Sequence, residues 1–114
     1  MKWTALEELS QIEKIVEEST EQRILIFKHS RSCSISRTVL DRLERNWQEE
    51  EMVKLKPYYL DLLSFRAISN AIAQKFDVEH ESPQVLIIEK GKSVYDQSHF
   101  GIDYKSMKDF SNAS

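Results

Sequence analysis

The stretch Ile24-Leu25-Ile26-Phe27-Lys28-His29-Ser30-Arg31-Ser32-Cys33-Ser34-Ile35-Ser36-Arg37 governs the reading of the whole chain. It opens on an apolar run of the kind found in a strand buried on both faces of a sheet, and we set that strand at Arg23 to Lys28. It continues as polar sequence around the chain's single cysteine. Ser30 or Ser32 suits the cap of a helix starting near Cys33, whose buried stripe is Ile35, Val39, Leu40, Leu43 and Trp47. A thiol between a strand end and a helix start meets free backbone N–H groups and the positive end of the helix dipole. Both favour the thiolate, the form that attacks. From Gln22 to Leu40 the chain holds Arg23, Lys28, Arg31 and Arg37 and no acid, against a net charge of -3 overall. Lys28, Arg31 and Arg37 therefore read as cations serving Cys33. A free cysteine is most often a small buried hydrophobe. Here Ser30, Arg31, Ser32, Ser34 and Ser36 leave no apolar face to bury it.

Working outward, Trp3, Leu6, Leu9, Ile12, Ile15 and Val16 recur at helical spacing, and Thr4 with Glu7 has the form of a capping box. This predicts a helix from about Thr4 to Glu18. The run Gln48-Glu49-Glu50-Glu51 closes the helix that follows Cys33, with fraying expected because acids oppose the dipole there. Val53 to Leu60 carries the next strand, and Pro57 places it at an edge or makes it a strand start. Ser64 is positioned to cap a helix bearing Ile68, Ala71, Ile72 and Phe76. Val85 to Ile88 is a second fully apolar strand, Glu89 to Lys92 a turn and Val94 to His99 a returning strand, together a hairpin. A last helix spans Asp103 to Ser111 with Met107 and Phe110. Strand-helix-strand in the middle is a right-handed crossover with parallel strands. The order is that of a thioredoxin-like α/β fold: a central four-stranded mixed sheet flanked by helices, with an extra N-terminal helix, in one domain over residues 1–114.

Composition limits the function. With 114 residues, 40% hydrophobic and 31% charged, the chain suits one core burying roughly two thirds of the unfolded surface. The acidic balance argues against a nucleic-acid partner. No apolar run approaches the roughly 20 residues of a membrane span. The N-terminus turns acidic at once, unlike a signal peptide, and a lone cysteine fits a reducing cytoplasm.

Ser36 stands three residues after Cys33, where a dithiol site holds its second sulfur. Without that sulfur the chemistry is one-thiol exchange: attack on a disulfide, a mixed disulfide, then release by an external thiol. Ser36 either donates a hydrogen bond to the thiolate or is a solvated first-turn serine. Ser82-Pro83 either ends the preceding helix or, as a cis pair, offers the backbone of Ser82 to an incoming substrate chain; we expect cis. His29 reads as a solvent-facing strand end, with polarisation of the thiol as the alternative. His29, His80 and His99 with Cys33 do not repeat a metal-binding pattern, so no metal is expected.

The segment Phe27 to Ser36, with His80-Glu81-Ser82-Pro83-Gln84-Val85, Gly91-Lys92 and Ser98-His99 downstream, resembles the monothiol bacilliredoxins of certain Gram-positive bacteria. These are thioredoxin-like proteins formerly described as general stress proteins. The resemblance covers nearly the whole chain. It implies removal of bacillithiol, a small thiol, from bacillithiolated proteins, with Cys33 as the attacking thiol and Ser82-Pro83 as the cis-proline element. Bacillithiol serves as co-substrate, with no bound cofactor, and a recycling reductase is a further expected partner. The malyl carboxylates of bacillithiol match Arg31, Arg37 and Lys28. The family usually reads Thr-Cys-Pro-Ile-Ser, whereas here Ser32 precedes Cys33 and Ser34 follows it, which removes a pre-set φ at the first helical turn. The rival reading is a non-catalytic thioredoxin-like sensing or binding module in which thiolation of Cys33 changes a protein contact. Peroxide reduction is a weaker third, because no Pro/Thr-rich peroxidatic loop surrounds the thiol.

Overall fold

The computed structural model describes residues 2–112. Five strands form one sheet in the order β1-β3-β2-β4-β5: β1 Thr4–Ala5, β2 Arg23–His29, β3 Leu55–Asp61, β4 Gln84–Glu89 and β5 Lys92–Ser98. The first three are mutually parallel, while β4 runs antiparallel to β2 and β5 antiparallel to β4. Helices α1 Ser10–Glu18, α2 Ser34–Asn46, α3 Arg66–Phe76 and α4 Tyr104–Asn112 cover the two faces. The sheet thus has five strands rather than the expected four, the fifth being the short β1.

The central strand β2 divides the core by side-chain alternation. Ile24 and Ile26 face Ile12 and Ile15 of α1 and Ile68, Ile72 and Phe76 of α3. Leu25 and Phe27 face Val39 and Leu43 of α2, with Met107 of α4. All four of these strand residues are fully buried. The continuous apolar pattern that marked this strand is explained by helices on both sides.

The helix expected over Thr4–Glu18 begins only at Ser10. Thr4 and Ala5 instead pair with Tyr58 and Tyr59, and the Leu6 N–H donates to the Tyr59 carbonyl at 2.8 Å. Leu6 is then fully buried beside Ile12 and Ile15. Burial of that leucine, about 1.5–3 kcal/mol, together with the ladder bonds, outweighs a capping box at Thr4. Gln11 instead ties down the chain ahead of α1: its Oε1 accepts the N–H groups of Glu7 and Glu8 and its Nε2 donates to the Ala5 carbonyl.

Pro57 lies within β3, opposite Leu25, and β3 is interior rather than an edge. It is tolerated because backbone groups alternate sides. Tyr59 turns its carbonyl to β1, so Pro57 turns its missing N–H the same way, below the point where β1 begins opposite Tyr58. At the other sheet edge, Lys90 and Gly91 both have positive φ (51° and 77°), the requirement of a two-residue hairpin turn matched to strand twist.

Other boundaries shift for local reasons. Ser64 does not cap α3; its Oγ donates to Asp61 Oδ2 at 3.1 Å and Phe65 takes the cap position. The acidic run is not a frayed end of α2 but a separate 3-10 turn, Glu49–Glu51. It is held to α4 because Glu51 accepts the Tyr104 hydroxyl and pairs with Lys108. In α2, Ile35 is exposed and its place in the buried row belongs to Ser36.

Gln11→Ala should lower stability by about 1 kcal/mol. That would move the thermal midpoint down by several degrees in a chain of this size. A circular-dichroism melt coinciding with wild type would show that the Gln11 bonds do not hold the α1 start.

Candidate active site

Cys33 is the N-cap residue of α2, in extended backbone (φ -99°, ψ 119°). At that position a side chain faces the unpaired N–H groups of the first helical turn. Its own N–H donates to the Ser30 carbonyl at 3.2 Å, and its carbonyl accepts from Arg37 N–H at 3.1 Å. The residue is partly exposed. Neither Ser30 nor Ser32 caps the helix; their hydroxyls lie 3.3 Å from each other, and no side-chain hydrogen bond closes the N-cap at Cys33.

The loop from β2 into α2 is fastened from below. Ser36 is fully buried, so it is not a solvated serine, and its Oγ is engaged elsewhere than with the thiol. It lies 2.6 Å from His29 Nδ1 and accepts the Ser30 N–H at 3.1 Å. His29 is 4% exposed rather than solvent-facing. It continues the Leu25–Phe27 row of β2 under α2, its ring tilted against Phe27 and Tyr59 at centroid distances of 6.1 and 5.7 Å. Burial lowers its pKa below the ordinary histidine value, against the pull of Asp61 and Glu44 and with Arg31 and Arg37 adding to the lowering. The signal for this was present in the sequence: extending the strand by one residue puts His29 on the same face as Phe27.

The three cations of the sequence reading separate. Arg31 pairs with Asp61 Oδ2 at 3.2 Å, its side chain 62% exposed. Arg37 is exposed, and its Nη1 donates to the Arg31 carbonyl at 3.3 Å. These two stand beside Cys33. Lys28 does not. It continues the Ile24–Ile26 row onto the opposite face, fully buried, where Nζ donates to the Ser69 carbonyl at 3.3 Å and meets His80 Nδ1 at 3.4 Å. Burial pulls its pKa from 10.5 down to about 8. The strand period, not charge attraction, decides its side. Asp61, which sequence reasoning passed over, lies opposite His29 in the parallel register, and that register was the available clue.

The Ser82-Pro83 bond is cis, as expected. Gln84 follows at the head of β4, paired with Lys28, so the cis pair and the Cys33 loop occupy the same end of the sheet. The Pro83 carbonyl accepts the His99 N–H at 3.0 Å, and His99 Nε2 is 3.6 Å from Glu81. Among the described residues no group of three or more His, Cys, Asp or Glu is arranged to hold a metal ion. No helix among them is long and apolar enough to cross a membrane.

A single thiol at the N-cap after a central parallel strand, level with a cis-proline, defines a one-cysteine site on a thioredoxin fold. Similar solved structures agree. A protein described as a candidate oxidoreductase with a thioredoxin fold matches at 30% identity and TM-score 0.78, over 92% of this chain and 89% of that one. Thioredoxins of Malassezia sympodialis (13% identity, TM-score 0.72, 96% and 87% covered) and Fasciola hepatica (18%, 0.66, 93% and 93%) share the fold. Residues 4–107 match the monothiol bacilliredoxin BrxC family, and the chain belongs to it. Its role is that of a thiol oxidoreductase.

Lys28 is a buried cation with no acid among its described partners. The fall from 10.5 to about 8 corresponds to about 3 kcal/mol against the folded state while the amine is charged. The unfolded chain binds the extra proton between about pH 8 and 10.5, so stability rises with pH in that window. Lys28→Met should therefore raise unfolding stability at pH 7 by about 1–3 kcal/mol, a gain that shrinks above pH 8. Urea melts at pH 7 and 10 showing no gain at either pH would contradict a buried charge.

Proposed function

We propose that the protein removes bacillithiol from protein mixed disulfides, with Cys33 as nucleophile. The Cys33 thiolate attacks the bacillithiol sulfur, the client S–S bond breaks, and the client leaves as a thiolate that takes a proton from water. Cys33 is left in a disulfide with bacillithiol. A second bacillithiol then attacks the bacillithiol sulfur of that disulfide. The Cys33 thiolate returns and bacillithiol disulfide leaves, for a recycling reductase to reduce. No resident metal or cofactor takes part.

The observation that carries this reading is Ser36 at the third residue after Cys33, buried and bonded within a BrxC-family chain. A dithiol enzyme would close an internal disulfide there, whereas here the adduct must wait for an external thiol. The client main chain aligns along Ser82, just ahead of the β4 ladder, with Pro83 as the floor of the contact. Arg31 and Arg37 receive the carboxylates of the small thiol, and Lys28, on the other face, drops out of that set. The reaction belongs to the cytoplasm, where bacillithiol and its modified proteins are the partners.

Reduced protein mixed with a bacillithiolated client should release client thiol with wild type and only at background rate with Cys33→Ser. Equal rates would remove Cys33 as nucleophile. Arg31→Ala with Arg37→Ala should raise KM about fivefold with kcat nearly unchanged, as for loss of weak surface charge contacts. A glutathionylated client should react more slowly. Equal turnover of both clients would defeat the assignment of the small thiol.

A further inference from the structure

Two buried polar side chains in this molecule have no part in the exchange just described, and they lie directly beneath the loop that carries Cys33. His29 ends the central strand and Ser36 sits in the first turn of α2; their exposures are 4% and 0%. Between them the chain makes its turn through Ser30, Arg31, Ser32 and Cys33. Ser36 Oγ bonds both flanks of that turn, the His29 ring at 2.6 Å and the Ser30 N–H at 3.1 Å. Cys33 N–H closes back on the Ser30 carbonyl. The strand end is held in turn from β3, whose chain continues into Leu62, with Leu62 N–H on the His29 carbonyl at 2.9 Å.

We infer that His29 is a positioning residue for Cys33, acting through Ser36 to fix the turn that presents the thiol at the start of α2. The inference rests on Cys33 being the attacking thiol. The bonding is specific because a hydroxyl has one proton and two lone pairs. One lone pair accepts the Ser30 N–H. The proton then goes to Nδ1 of a neutral imidazole, which carries its own proton on Nε2. The ring packs against Phe27 and Tyr59, and the charges acting on it are Asp61 from β3, Glu44 and Arg37 from α2, and Arg31 from the loop. Burial keeps the ring on the neutral side. Without the imidazole, a buried hydroxyl loses its acceptor and the Ser30 N–H shares its bond with a freely rotating group. A free alkylating reagent responds to the exposure and local electrostatic setting of the thiol at the head of α2, so the clamp reports in reactivity and not in stability alone.

The test measures iodoacetamide alkylation of Cys33, with no client and no bacillithiol, on folded His29→Phe, His29→Asn, Ser36→Ala and the double variant His29→Phe/Ser36→Ala. Each is first checked for a native near-ultraviolet spectrum. His29→Phe keeps the ring packing and removes the acceptor, and His29→Asn restores an acceptor oxygen near the Nδ1 position. Alkylation is expected to slow about tenfold in His29→Phe and in Ser36→Ala, as the thiol leaves its place at the helix start. The double variant should be no slower than either single one, and His29→Asn should recover to within about threefold of wild type. Wild-type alkylation in a folded His29→Phe or Ser36→Ala would overturn the inference. So would additive losses in the double variant, or an Asn variant as slow as Phe. If His29→Phe fails to fold, Ser36→Ala and His29→Asn decide by the same rates. Failure of the bacillithiol reading shows separately, as absence of Cys33-dependent client reduction in wild type, and leaves the alkylation comparison intact.

Discussion

Strand β2 is hydrogen-bonded along both edges and covered on both faces, and that confinement decides where every neighbouring functional group goes. A strand with no open side cannot twist a side chain toward a convenient partner; alternation alone assigns each one. Its last two residues therefore part company. Lys28 is carried under α3, where burial works against its charge. His29 is carried under α2, where it meets the serine beneath the thiol. The chain can then leave the sheet only at its end. It does so in a turn short enough that a single hydroxyl spans it.

From this follows the character of the site. Cys33 stands at the N-cap of a 13-residue helix, flanked in the chain by Arg31 and Arg37. The position that holds a resolving sulfur in dithiol members of the fold holds a hydroxyl already engaged on two sides. Oxidation of this site thus leads outward, to a mixed disulfide with another molecule. In this chain the residue in that buried place also bonds both flanks of the loop.

Much of this was legible in the residues. Ile24 to Phe27 marked a doubly covered strand, Cys33 a helix start, Ser82-Pro83 a cis pair, and Ser36 the missing second thiol. The differences share one cause: local pattern yields where long-range pairing decides. Thr4 and Glu7 look like a capping box until Tyr59 supplies a ladder partner. Lys28 looks like a counter-charge because it is five residues from Cys33, yet its side of the sheet is fixed by parity. His29 looks exposed only if the strand stops one residue early. Ile35 looks like core, but the helix turns its row so that Ser36 faces inward. Asp61 could be found only by knowing the β2–β3 register, which no single segment encodes.

The most direct measurement is an intact-mass time course of reduced protein reacting with a client carrying one bacillithiol. The bacillithiol mass is expected to leave the client and appear on this protein at the same rate, with peptide mapping placing it on Cys33. A client freed of bacillithiol while this protein stays unmodified throughout, or a stable disulfide between client and Cys33 as the end product, would contradict it.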